Sequence, residues 1–191
     1  MIMEEILEKL LKKLEGVKKI VFLGIGEEKL SDDGVGPYII SELLYLSNNN
    51  FLFLNAGIDP MSRIDEIINF NPSNLVLLDT CNLNKPVGTI AIIERENIQD
   101  YVPISTHTIP IHIVMDLLIE KLPDLKIFMI GFVPENLDGF TDLRLYKEDQ
   151  LSLDEKAENV DLPFFEFHLS EPIKEAADQI IKIIKIVLQR L

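Results

Sequence analysis

Apolar residues follow two rhythms along the chain, and the alternation between them predicts its elements. Over residues 2–15, Ile2, Ile6, Leu7, Leu10, Leu11 and Leu14 lie on one helical stripe that Gly16 ends. Residues 18–23 read as a strand, with Ile20, Val21, Phe22 and Leu23 as a continuous buried run. A turn over residues 24–36 leads to a helix that reaches Leu46, where Asn48, Asn49 and Asn50 stop it. Residues 51–54 form a second strand, ending in a turn at Asn55, Ala56 and Gly57. Asp59 and Pro60 open a helix with Ile64, Ile67 and Ile68 inward. Residues 75–78 form a third strand that ends in Asp79. Pro86 and Gly88 then turn the chain into a fourth strand over residues 89–93. No helix separates the third strand from the fourth, so the two are expected to pair antiparallel, with the fourth at an edge.

Residues 94–108 are expected to be a loop, with Thr108 capping a helix to Lys121. Residues 125–130 make a fifth strand closed by Gly131, and Ser170 is expected to cap a last helix over residues 171–190 with Pro172 in its first turn. This order predicts an α/β fold, a three-layer α/β/α sandwich around a twisted, mostly parallel five-stranded sheet. Residues 1–191 read as a single domain, with 141–168 as a surface excursion. Residues 141–161 are polar and charged, and should be exposed. Phe164, Phe165 and Phe167 then form an aromatic island that either pins the excursion to the body or contacts a partner.

Composition narrows the setting. The 191 residues hold 18 Lys and Arg against 32 Asp and Glu, a net charge of −14. That balance argues against nucleic acid or an anionic membrane surface as partner. One cysteine, Cys81, rules out an intramolecular disulfide and suits a reducing compartment. The N-terminal stripe is amphipathic and unlike a leader, and no apolar run reaches the roughly 18 residues of a membrane helix. A cytoplasmic monomer without membrane insertion is expected.

The turn after the first strand holds the most chemistry. Gly24 and Gly26 suggest a dinucleotide loop, but Lys29 stands where the fingerprint needs a third glycine. Glu27, Glu28, Asp32 and Asp33 would repel a phosphate, and suit a cation or proton transfer. Alternatively, Asp32 and Asp33 only favour the next helix's N-terminus. Asp79 and His107 lie on two further loops at strand ends. With Asp33 they offer two carboxylate oxygens and an imidazole nitrogen, a set suited to zinc or nickel with positions left open. Taken singly, Asp79 can equally be a strand-end cap and His107 a hydrogen-bonded residue of the next helix. His112, inside that helix, and His168, in the excursion, are weaker candidates as ligands.

These stretches together resemble a known family. Gly24-Ile25-Gly26, Leu30 and Asp32-Asp33-Gly34-Val35-Gly36 are similar to the opening signature of the hydrogenase maturation proteases. Leu77-Leu78-Asp79-Thr80 resembles their second motif, and Ser105-Thr106-His107-Thr108-Ile109-Pro110 their third. Residues 129–134, 137–140 and 170–174 resemble the family's late strand, loop and final helix. The hydrogenase 3 type is the most similar branch. The sequence departs from the pattern at Glu27, where relatives usually carry Asn, and at Asn82, where many carry an acid. The 141–168 excursion and the N-terminal helix look additional.

The resemblance implies an endopeptidase, aspartic-type by family, that removes the C-terminal extension of a nickel–iron hydrogenase large-subunit precursor. It implies that Asp33, Asp79 and His107 contact nickel carried by that substrate, and that no organic cofactor takes part. No Ser-His-Asp signature is present. Cys81 sits two residues past Asp79 but reads as a small buried hydrophobe, so an activated water is the expected nucleophile. The alternative is a non-catalytic metal-binding or docking module for hydrogenase assembly.

Overall fold

The computed structural model of the protein describes residues 2–101, 110–137 and 168–191. In chain order it contains α1 (Ile2–Lys13), β1 (Ile20–Ile25), α2 (Val35–Leu43), β2 (Phe51–Gly57), α3 (Ile64–Phe70), β3 (Asn74–Thr80), β4 (Ile90–Glu94), α4 (Arg95–Tyr101), α5 (Ile111–Lys121), β5 (Lys126–Phe132) and α6 (Glu171–Arg190). Short 3-10 turns at Ser31–Gly34 and Pro60–Arg63 lead into α2 and α3.

The sheet order is β2-β1-β3-β5-β4. β1 pairs parallel with both β2 and β3, and β3 pairs parallel with β5. Every residue of β1 and β3 is buried, because helices cover both faces. Phe22, Val76, Leu78, Phe128 and Ile130 face a core shared with α1, α2 and α6. Their neighbours Val21, Leu23, Leu75, Leu77 and Met129 face a second core closed by α3, α4 and α5. The predicted three-layer α/β/α sandwich is thus the observed fold.

Two expectations are corrected. β4 does lie at the edge and runs antiparallel, but its partner is β5, with Ile90 opposite Phe132 and Glu94 opposite Phe128. β3 is hydrogen-bonded by parallel neighbours on both sides, which leaves no room for a β3–β4 hairpin. Sequential strands pair or neighbour about two-thirds of the time, and this pair belongs to the remainder. Part of the expected 94–108 loop is the helix α4, anchored by buried Ile98. The next helix starts at Ile111 with Pro110 as its N-cap; Thr108, expected there, lies outside the described residues. So do residues 141–167 of the expected excursion and the phenylalanine island.

The chain steps from β1 outward to β2, then returns across β1 to β3. The order of the parallel strands therefore reverses between β1 and β3. In open α/β sheets, the crevice outside the carboxyl ends at such a reversal is where ligands bind.

Candidate active site

Both predicted carboxylates lie at that reversal. Asp33 follows β1 in the Ser31–Gly34 turn, and Asp79 is the penultimate residue of β3. They are 1% and 2% exposed, so both charges sit where desolvation is costly unless hydrogen bonds offset it. The Asp33 Oδ2 accepts the Glu27 N–H at 2.7 Å. Its Oδ1 accepts the Thr80 hydroxyl at 3.4 Å, which ties the acidic turn to the residue beside Asp79. The Asp79 Oδ1 accepts the Thr80 N–H at 2.7 Å.

The glycines explain why the turn can sit so close to the strands. A Cβ on Gly36 would collide with the Leu78 and Ile25 carbonyl oxygens, so α2 begins pressed directly onto β1 and β3. Gly26 has φ +129°, and a Cβ there would collide with the Asp33 carbonyl oxygen. Glycine at these two positions brings Asp33 against the end of β3.

Asp32 faces elsewhere. It is fully buried, and its carboxylate accepts the N–H groups of Glu135, Asn136 and Ser170 at 2.8, 3.0 and 2.7 Å. The Ser170 hydroxyl adds a fourth bond at 3.0 Å. Ser170 was expected to cap the last helix, yet its side chain makes no cap hydrogen bond, because it is engaged by Asp32. The N-cap residues of the 3-10 turn and of α2, Leu30 and Gly34, make no side-chain cap hydrogen bond either. The Asp32 carboxylate is thus spent on distant backbone and hydroxyl donors.

His107 lies outside the described residues. The chain on either side of its segment is held at the same edge: the Asn82 N–H donates to the Tyr101 carbonyl at 2.8 Å, and α5 starts at Ile111. His112 is exposed on α5. His168 is exposed beside a cleft of about 380 Å³ lined also by Glu28, Ser31, Tyr38 and Lys174, and its carbonyl accepts the Ser31 hydroxyl. Among the described residues no group of three or more His, Cys, Asp and Glu is arranged to hold a metal ion. Sequence reasoning missed Thr80; a hydroxyl residue directly after the acid that ends a strand buried on both faces is the signal that could have found it.

Cys81 is excluded as a nucleophile on physical grounds. Its side chain is completely buried, and Gly131 packs over it so closely that a Cβ there would lie 2.6 Å from Sγ. Burial, and then the negative charge of Asp79, push its thiol up to about 12. A nucleophilic cysteine needs the opposite shift.

An α/β/α sandwich with buried acids gathered at its switch point defines an α/β protein whose ligand chemistry belongs at the carboxyl edge. Comparison with known proteins narrows that class. The profile of the hydrogenase maturation protease family matches residues 37–155. A putative hydrogenase maturation protease of Methanocaldococcus jannaschii is 32% identical over 139 residues, covering 69% of this chain and 81% of that protein. The hydrogenase 3 maturation protease of Escherichia coli K12 is 25% identical over 115 residues, covering 60% and 72%. The crystal structure of the NiFe hydrogenase maturation protease HycI from Thermococcus kodakarensis KOD1 superimposes with a TM-score of 0.73 at 25% identity, over 95% of this chain and 99% of that one. The chain belongs to the hydrogenase maturation protease family. The profile match includes Asp79 and begins four residues past Asp33.

Proposed function

We propose that this protein is the endopeptidase that removes the C-terminal extension of a nickel-loaded nickel–iron hydrogenase large-subunit precursor. Asp33, Asp79 and His107 are the residues assigned to its nickel, which arrives with the substrate. The observation that carries this reading is the buried placement of Asp33 and Asp79 at the β1/β3 switch point, joined through Thr80, in a chain of this family. Two hard oxygens and one imidazole leave a coordination sphere incomplete, so the free enzyme binds nickel weakly and does not strip it from its substrate.

In the proposed reaction the trio engages the substrate's nickel and so fixes the adjoining peptide against the sheet edge. Water is the attacking group, with a carboxylate as the base that receives its proton. The peptide bond breaks, a new C–O bond forms, and the proton passes to the leaving amine. The processing takes place in the cytoplasm.

Incubation with nickel-loaded and nickel-free precursor tests this directly. The loaded precursor should lose its extension and the unloaded one should persist. Cleavage of nickel-free precursor at the same rate would overturn recognition through the metal. Co-elution with loaded precursor, without loss of the extension, would make the protein a docking module.

A further inference from the structure

The acidic turn carries four carboxylates, and the proposed reaction uses only Asp33. Asp32 has no access to substrate: it is 0% exposed, and its two oxygens accept four hydrogen bonds. Its own N–H donates to the Asn136 carbonyl at 3.2 Å. The partners come from two distant parts of the chain. Glu135 and Asn136 leave β5, whose Phe132 lies in register with Thr80 of β3; Ser170 directly precedes α6. Asp32 therefore binds the turn, through both backbone and side chain, to a strand and a helix already packed in the core. The next residue, Asp33, faces the other way, onto the Glu27 N–H and the Thr80 hydroxyl.

We propose that Asp32 is a positioning residue for proteolysis: by clamping the Ser31–Gly34 turn to the β5 exit and the α6 start, it fixes where the Asp33 carboxylate stands. Neither Asn nor Ala can replace it without loss. In Asn, one oxygen becomes an NH₂ group that must face a donor already pointing at it. The role rests on the reading that Asp33 meets the substrate, but the clamp has its own reporter. The Glu27 amide is bonded to the Asp33 carboxylate, so its behaviour reports Asp33 without any substrate.

The experiment uses the full chain, ¹⁵N-labelled, as wild type, Asp32→Asn and a destabilised control. Ile180→Ala is the control, because it removes fully buried volume further along α6 and touches neither acid. In Asp32→Asn the Glu27 amide should exchange with solvent at least roughly tenfold faster, since its acceptor is no longer fixed. Turnover of nickel-loaded precursor should fall on the order of a hundredfold, with half-saturation within about threefold, as misplacement without lost binding predicts. The control should lose melting temperature while keeping both readouts near wild type. An unchanged Glu27 amide in Asp32→Asn, or equal losses in the control, overturns the proposal. If Asp32→Asn does not fold, Ser170→Ala removes one donor and leaves the charge; it should speed Glu27 exchange by roughly twofold to fivefold, and no change overturns the clamp. If wild type fails to cleave, the proteolytic reading falls while the Glu27 amide still decides the clamp.

Discussion

The two edges of the sheet are built differently. At the amino edge, polar groups are satisfied by backbone and by exposed side chains: Ser73 donates from N–H and Oγ to the Lys19 carbonyl, and Asn48 Oδ1 accepts the N–H groups of Asn50 and Phe51. At the carboxyl edge, three carboxylates and a threonine are buried. Among the described residues only one other polar side chain is buried, Asn74 at the amino edge. Stability alone would not bury three acids in one place, because each must recover its lost hydration. The amino edge shows what the fold needs, and the carboxyl edge shows what function adds.

The strongest way to break that contrast is to remove the acids and the imidazole. Asp79→Asn keeps the size and loses the charge, and His107→Ala removes the one proposed nitrogen ligand. Each should slow precursor processing on the order of a thousandfold or more. Asn74→Ala, the buried polar residue of the other edge, should leave cleavage near wild type and cost only stability. Equal losses from Asn74→Ala and Asp79→Asn in a processing assay would erase the functional distinction between the edges.

Glycines give a comparison in stability alone. At the carboxyl edge, Gly36→Ala drives a Cβ into two backbone carbonyls, and should cost about 3 kcal/mol, at the upper end for overpacking. At the amino edge, Gly16 has φ +70° with nothing within 4 Å of its Cβ direction, so Gly16→Ala should cost only about 1 kcal/mol from the strained backbone. Denaturant unfolding of the two variants measures both. A milder effect at Gly36 than at Gly16 would mean that α2 does not press on the strands as described.

The sequence made the scaffold legible because parallel strands buried on both faces write continuous apolar runs, as at residues 20–23 and 75–78. Asp79 stood out as an acid where such a run stops, and Asp33 as one of four acids in the turn after β1. The division of labour between Asp32 and Asp33 was not. Adjacent residues look equivalent in a motif, and the partners that distinguish Asp32 lie 103 to 138 residues away. Ser170 looked like a cap because Ser before Glu-Pro normally is one; a buried carboxylate beside it won the hydroxyl instead. α4 escaped notice because seven residues with one buried side chain carry too little periodicity. The partner of β4 depends on where β5 inserts, which no local pattern encodes.

Cys81 sharpens the comparison from within the carboxyl edge, since it is buried there without serving chemistry. Cys81→Ala should retain processing, and thiol reagents at pH 8 should leave the folded protein unmodified. Its titration gives a signed test. The folded thiol holds its proton up to about 12, whereas the unfolded thiol releases it near 9.0. Its contribution to stability is therefore complete below pH 9 and declines as pH rises toward 12. By pH 10 wild type should have lost on the order of 1 kcal/mol relative to Cys81→Ala, compared with pH 7. A difference that stays constant between pH 7 and 10 would show that the thiol is not desolvated.

The smallest effect belongs to an exposed cluster that borders the cleft beside the acidic turn. On the outer face of α2 and α6, the Lys174 ammonium donates to both Asp178 oxygens at 2.8 and 2.7 Å, and the Tyr38 hydroxyl donates to one of them at 3.0 Å. Lys174 also lies 4.7 Å from the centre of the Tyr38 ring. The Lys174 hydrogen bond, ahead of the one from Tyr38, holds the Asp178 carboxyl below its ordinary range. The same pairing raises the Lys174 ammonium above its own. Both side chains are about 40% exposed, at 41% and 42%, so water and salt screen the pair. After that discount, Asp178→Asn should cost less than about 1 kcal/mol at pH 7. Because the folded carboxyl is depressed, its contribution is present above the unfolded value of 3.8 and is lost as pH falls through the lower folded value. Wild type and Asp178→Asn should therefore converge in acid, and also in high salt, while processing stays near wild type throughout. Convergence in acid with a large processing defect would place this helix face in contact with substrate, and would extend the functional surface beyond the sheet edge.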